Sequence, residues 1–337
     1  MLTTKSLVSV LSIAVVLFQG GTGYKVLTRY PVPGNGGFDY VTIDSDARRL
    51  YLSHSTQVDV IDPDNGKLIG AIADTPGVHG VAIAPQFKHG FTSNGRENKV
   101  SMFDSTTLQL IRKIDVGKGP DGIYYDPKTR RVFTNNHGSH DISVLDAETG
   151  DVVGTVKAEG DGESAVIADD IIYVNIEDTD EVLVFDPKSL EVKKRFPIGV
   201  AKTPTGLAYD ARTKRLFIGC RNDPKMVVMD AVSGKVINSF PIGRGVDYAA
   251  FDPQAKMVFF SCSEGVLNIF HEKSADEYEV VSAVKTQPSA RTMAFDPKTK
   301  KIFLSAAEIL ETPATTPGGR PQRSVKPGSF VVLVVGK

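Results

Sequence analysis

A repeat of about 42 residues runs along the chain and constrains its fold more than any other feature. Asp or Asp-Pro stands at Asp44, Asp126, Asp169, Asp210, Asp252 and Asp296, with Ala84-Pro85 filling the one gap, at intervals of 40 to 44 residues. Seven residues beyond these anchors come Tyr51, Phe91, Phe133, Phe217, Phe259 and Phe303. The fourth unit has a shorter turn, so its aromatic is Tyr173. A third element of each unit ends in Asp at Asp62, Asp104, Asp146, Asp186 and Asp230. Self-similarity at this period is the mark of a repeat architecture, in which each unit buries its apolar face against its neighbours.

Within a unit the residues read as four short strands. Gly122 to Tyr125 is followed by the turn Asp126-Pro-Lys-Thr129, then by Arg131 to Thr134, Ile142 to Leu145, the turn Asp146 to Gly150, and Val152 to Val156. Runs of β-branched and aromatic residues punctuated by Asp, Pro and Gly are strand-and-turn chemistry, and no segment has sustained helical periodicity. Four strands per unit and seven units predict an all-β chain forming a seven-bladed β-propeller. The seventh unit lacks an outer strand, which Lys25 to Pro31 supplies, so that residues 24–337 close into one ring and one domain without exposed strand edges.

Residues 1–23 read as an address. Lys5 precedes an apolar run from Leu7 to Phe18, too short to span a bilayer as a helix, and Gly21-Thr22-Gly23 supplies small residues for cleavage after Gly23. A secretory signal peptide is expected, with a periplasmic or secreted product; an uncleaved N-terminal anchor is the alternative. The mature chain is expected to be a monomer with no transmembrane span. Its two cysteines, Cys220 and Cys262, sit at equivalent places in adjacent units, too far apart for a disulfide, and are expected to be buried free thiols.

Tyr173-Val-Asn175, Phe133-Thr-Asn135 and the repeated strands ending in Asp resemble the YVTN β-propeller repeat family of exported bacterial proteins. The resemblance covers essentially the whole mature chain and rests on the register of all seven units, since none carries the full Tyr-Val-Thr-Asn. It implies a propeller in the periplasm and a binding role, including single-stranded DNA for some members; it implies no particular chemistry.

Other motifs carry little. Gly117-Lys-Gly119-Pro-Asp-Gly122 fits GxGxxG but joins two strands and opens no helix, so it makes a turn and holds no dinucleotide. There is no GxSxG elbow, HExxH or EF-hand loop. His137 and His140 are expected to be exposed loop residues; His89 is assigned no role, and His271, at the turn position that Asp takes in other units, is expected to be structural.

In a propeller the inner strands and the loops between second and third strands open on one end of the central channel. Counting five residues back from each anchor places Asp39, His79, Asp121, Ser164, Thr205, Asp247 and Arg291 there, with Glu163 adjacent. The second set of loops adds His54, Asn94, Asn135, Asn175, Glu177, Asp178, Arg221, Asn222 and Glu264. Turn chemistry explains many of the Asp and Asn residues, but not His79, Glu163, Glu177, Arg221 or Arg291. The candidate ligand-binding set is His79, Asp121, Glu163, Asn175, Glu177, Arg221, Asp247 and Arg291. The longest irregular stretch, 309–328, opens at the same end and reads as a lid or a free excursion.

The expectation is a binding or scaffold protein that holds a small molecule or a protein partner at the channel mouth. A second reading, by analogy with propeller lactonases, is a hydrolase using a divalent cation such as Ca on Glu163, Asn175 and Asp247, types that suit a hard cation. Whether the protein is an enzyme stays open at this point. With 39 Lys+Arg against 40 Asp+Glu, the near-neutral chain argues against a dedicated nucleic-acid or anionic-membrane binder, and single-stranded DNA is the third choice.

Overall fold

The computed structural model of the chain describes residues 23–168, 170–312 and 322–337; the expected signal segment, apart from Gly23, lies outside them. Seven four-stranded antiparallel sheets follow one another in a ring. The first blade is Phe38–Asp44, Arg49–His54, Gln57–Ile61 and Leu68–Ile72, and the next five repeat its order from the channel outward. The seventh joins Met293–Phe295, Ile302–Ala306 and Val331–Gly336 to Lys25–Pro31, whose pairing runs from Lys25 opposite Gly336 to Pro31 opposite Val331. The early strand thus closes the ring, as its sequence suggested. The one helical element among the described residues is a single 3-10 turn, Pro85–Phe87. No helix among them is long and apolar enough to cross a membrane.

The Asp series makes the turns. Asp104 accepts the backbone N–H groups of Thr106 and Thr107, and Asp146, Asp186 and Asp230 hold their turns in the same way. Each carboxylate satisfies donors that the reversal leaves without ladder partners.

The core lies between the blades. Seven apolar clusters each span two adjacent blades. The periodic aromatics sit in them, from Tyr51 and Phe91 to Phe259 and Phe303, all buried. Cys220 and Cys262 are buried free thiols, as expected. Burial pushes the Cys220 thiol up to about 12 and raises Cys262 too, so neither carries a reactive thiolate.

The stretch 309–328 is more regular than its Pro and Gly content indicates. Ile309–Thr312 pairs antiparallel with Gln322–Val325 to form a two-stranded ribbon between the second and third strands of the last blade. Residues 313–321 lie outside the described residues.

Candidate functional site

Six of the seven innermost strands break register near the channel mouth. The shifts fall between Phe38 and Val41, Val78 and Val81, Pro120 and Ile123, Gly162 and Ala165, Pro204 and Gly206, and Val246 and Tyr248. A bulge frees backbone from the ladder and re-aims the side chains next to it. The residue after the first of each pair forms a ring: Asp39, His79, Asp121, Glu163, Thr205 and Asp247, completed by Arg291. In the fourth blade the ring residue is Glu163. Ser164, reached by counting from the anchor, falls one step further along because the turn of that unit is short.

The neighbouring blade holds each bulge in place. Ser53 donates to the carbonyl of His79 at 2.6 Å, Asn135 Nδ2 to that of Glu163 at 2.6 Å, and Asn175 Nδ2 to those of Thr205 and Gly206 at 3.2 and 3.1 Å. Ser93 and Ser261 donate likewise to Asp121 and Arg291, and Ser305 reaches Asp39 at 3.1 Å. Gly219 stands at this place in the fifth blade, and there Thr205 Oγ1 bonds the Val246 carbonyl instead, at 2.8 Å. Blade-to-blade contact at the mouth is close. A Cβ on Gly122 would lie 2.8 Å from the Glu163 carbonyl, and one on Gly206 would lie 2.7 Å from the Tyr248 backbone.

Of the predicted residues, His79, Asp121, Glu163, Glu177, Arg221, Asp247 and Arg291 meet in one linked set of contacts. Asp247 is buried between Arg221, which bonds its Oδ1, and Arg291, whose Nε lies 2.9 Å from Oδ2. Arg221 also reaches Glu177 at 3.1 Å, and Arg291 reaches Asp39 at 3.5 Å. His79 Nδ1 lies 2.7 Å from Asp39 and 3.5 Å from Asp121. Burial works against a charge on His79, but the Asp39 hydrogen bond and the charges of Asp121 and Asp39 outweigh it. Its pKa is pushed up to about 9, so the imidazole is cationic at neutral pH. Burial raises Asp121, with His79 and His137 pulling the other way, and its Oδ1 is buried without a hydrogen-bond partner.

Glu163 is only 7% exposed and accepts a hydrogen bond from Tyr40 at 2.9 Å. Burial pushes its carboxyl well above 4.5; the hydrogen bond shared with Glu177 and the charges of Asp121 and Asp247 act in the same direction. It therefore keeps its proton beyond the usual carboxylate range and offers it to Glu177.

Asn175 is set back from this set as a latch, its Nδ2 spent on two carbonyls and its Oδ1 buried without a partner. Asp247 has a guanidinium on each oxygen. Among the described residues, the His, Cys, Asp and Glu groups that could share an ion are Asp39–His79–Asp121 and His140–Asp161–Asp178. His137 is not a simple exposed loop residue. It is half-buried, its Nε2 2.9 Å from the Gly162 carbonyl and its Nδ1 3.9 Å from Asp121.

Sequence reasoning passed over Asp39, which it had assigned to turn chemistry, and the tyrosines of the channel. Tyr40 follows Asp39 directly and packs edge-on against Tyr248, ring centroids 6.0 Å apart. With Tyr124, Glu163 and Ser164 they line a cavity of about 80 Å³ in the channel. An aromatic beside a ring residue is the signal that was available, since neither Tyr40 nor Tyr248 belongs to the periodic aromatic series.

Comparison with known proteins agrees with this architecture. A model of the YNCE-like beta-propeller family matches residues 71–306. Among solved structures, the hydrazine synthase of Kuenenia stuttgartiensis superposes with a TM-score of 0.70 at 17% identity, over 81% of this chain and 94% of that one. The WD40 repeats of RRP9 superpose with a TM-score of 0.76 at 9% identity, over 93% and 97%. These likenesses show the fold alone. A curated relative, the U3 small nucleolar RNA-associated protein 15 homolog of Xenopus tropicalis, is 29% identical over 112 residues, which are 32% of this chain and 22% of that protein's length.

Proposed function

The chain belongs to the YNCE-like β-propeller family, and from that premise we propose that it is a binding protein that takes a small molecule at the mouth of its channel. One observation carries this reading: ionisable side chains from all seven blades converge on the mouth, beside a cavity of about 80 Å³. Burying charge costs free energy unless partners offset it, and nothing in blade packing calls for a buried Glu163. A pocket with a few convergent polar groups and shifted acidities is where a ligand is expected. The basic, apolar and small-residue succession of residues 5–23 supports export.

The test is ligand-induced thermal stabilisation of parent and Glu163→Gln proteins across a broad small-molecule panel. Stabilisation of the parent that the variant loses supports the mouth as the site. Equal shifts in both proteins across the panel refute it.

A second reading, a divalent-metal-dependent hydrolase, draws on a different trio from the one the sequence suggested. Asp39, His79 and Asp121 offer ligand atoms within 4.8 Å of one another, and carboxylate and imidazole together suit a divalent ion. Metal analysis of the purified protein separates the readings. A stoichiometric divalent ion favours the hydrolase, and its absence favours the binding protein.

A further inference from the structure

We propose that the ligand is a small protonated amine, held in the channel between the rings of Tyr40, Tyr124 and Tyr248 with its N–H groups directed at the Glu163 carboxyl and the Ser164 hydroxyl. This rests on the reading of the mouth as a small-molecule site and names the class of molecule.

Charge comes first. Asp39, Asp121, Glu163, Glu177 and Asp247 converge on the mouth, against His79, Arg221 and Arg291. Those three cations are already engaged: Arg221 with Asp247 and Glu177, Arg291 with Asp247 and Asp39, and His79 with Asp39 and Asp121. Glu163 is the member with no ion pair to a basic side chain among the described residues. It faces Tyr40 and a second carboxyl, Glu177, and feels the charges of Asp121 and Asp247 across the ring. An arriving anion would add to this excess, whereas an ammonium group takes the place of the proton that Glu163 otherwise keeps, and binding releases that proton to solvent.

The cavity supplies the rest. Glu163 is its one ionisable carboxyl, set among three tyrosine rings whose electron-rich faces attract an ammonium group. The space is small, about 80 Å³, which favours a compact ligand. Ser164 lines the same cavity, and its Oγ is buried with no hydrogen-bond partner among the described residues. A buried hydroxyl without a partner is uncommon in a native protein and marks a place where a bond is completed by something else. An ammonium N–H completes it. A quaternary ammonium has no N–H and cannot, so the site is expected to prefer primary amines.

The experiment is titration calorimetry of the full chain, at constant ionic strength and neutral pH, with three matched series. These are primary amines (butylamine, benzylamine, putrescine), the alcohols of the same carbon skeletons, and the corresponding carboxylates. Saturable binding of at least one amine is expected, with no binding of its alcohol or carboxylate counterpart. Glu163→Gln, a neutral isostere, should weaken it at least tenfold. Ser164→Ala should weaken the primary amine and leave its N-trimethylated analogue unchanged, which keeps the test alive if Glu163→Gln misfolds. Amine binding that neither variant changes overturns the assignment. If alcohols or carboxylates bind in a Glu163-dependent way and amines do not, the ligand class is wrong while the mouth remains the site. If no series binds, this inference falls, and the broad panel above decides separately whether the mouth binds anything.

Discussion

Asn135→Ala tests the latches that hold the mouth. Asn135 is fully buried; its Nδ2 donates to the Glu163 carbonyl at 2.6 Å and its Oδ1 accepts from Tyr124 at 3.4 Å. The bulge has lifted the Glu163 carbonyl out of the strand ladder. Alanine therefore leaves a buried acceptor without its donor, which costs about 1–3 kcal/mol. The vacated volume, roughly 25–30 Å³ at 24 cal/mol per Å³, adds about 0.6 kcal/mol. The expected loss is about 1.6–3.6 kcal/mol, read as a fall of several degrees in the melting temperature. Asn135→Ser should recover most of it, because Ser53, Ser93, Ser261 and Ser305 do the same work in other blades. Asn175→Ala should lose a similar amount in the metal-free protein, as a latch would and a mere metal ligand would not. Gly219→Ser should not install the latch its blade lacks, since a Cβ there would lie 2.8 Å from the Val246 side chain and 3.0 Å from Phe260. An Asn135→Ala protein melting within about a degree of the parent would refute the reasoning.

Three further outcomes are expected. Because folding raises the Glu163 pKa, its contribution to stability is complete below the unfolded value near 4.3 and is lost as pH rises through the folded one; chemical denaturation of Glu163→Gln should show the variant gaining on the parent as pH rises, and parallel curves would contradict it. His79, also shifted upward, contributes stability that is full below about 6.5 and is lost as pH rises through about 9; an NMR titration finding it near 6.5, or a His79→Gln protein with the parent's alkaline stability profile, would show that the Asp39 and Asp121 contacts do not hold in solution. Removing residues 24–31 takes the outer strand from the last blade, so the truncated protein should aggregate or melt far below the parent, with unchanged melting as the contrary result.

The repeat made the architecture legible because strand, turn and aromatic recur for one physical reason in every unit: each blade must cover the next. Even ring closure could be read, from the kind of residue at Lys25 to Pro31. The mouth was harder. Fixed-offset counting assigned Ser164 a place that belongs to Glu163, since one short turn moves the register by a residue. Asn175 was read as a ligand because amides ligate cations and latch carbonyls with the same atoms, and only a neighbouring blade's carbonyl decides between the two. Asp39 looked like turn chemistry until His79 and Arg291 were found on it. Tyr40 and Tyr248 left only a faint signal, their place beside Asp39 and Asp247, because whether an aromatic faces core or channel depends on a bulge, and a bulge leaves no mark in composition.

Closure by Lys25–Pro31 has a consequence for how the molecule is made. Among the described residues that strand precedes every other strand in chain order, yet its partner Val331–Gly336 follows them all. Wherever the chain folds, the early strand can pair only once the last has arrived, with six blades lying between them in sequence. Contacts between such distant points are slow to form, because a long loop must close before any contact rewards it. Until then the unfinished last blade exposes Ile302–Ala306 and its apolar neighbours to any other chain with a free strand. A folding molecule is therefore most vulnerable to misassembly just before its ring closes, and a factor that shields the early strand would act by delaying its pairing rather than by hastening it.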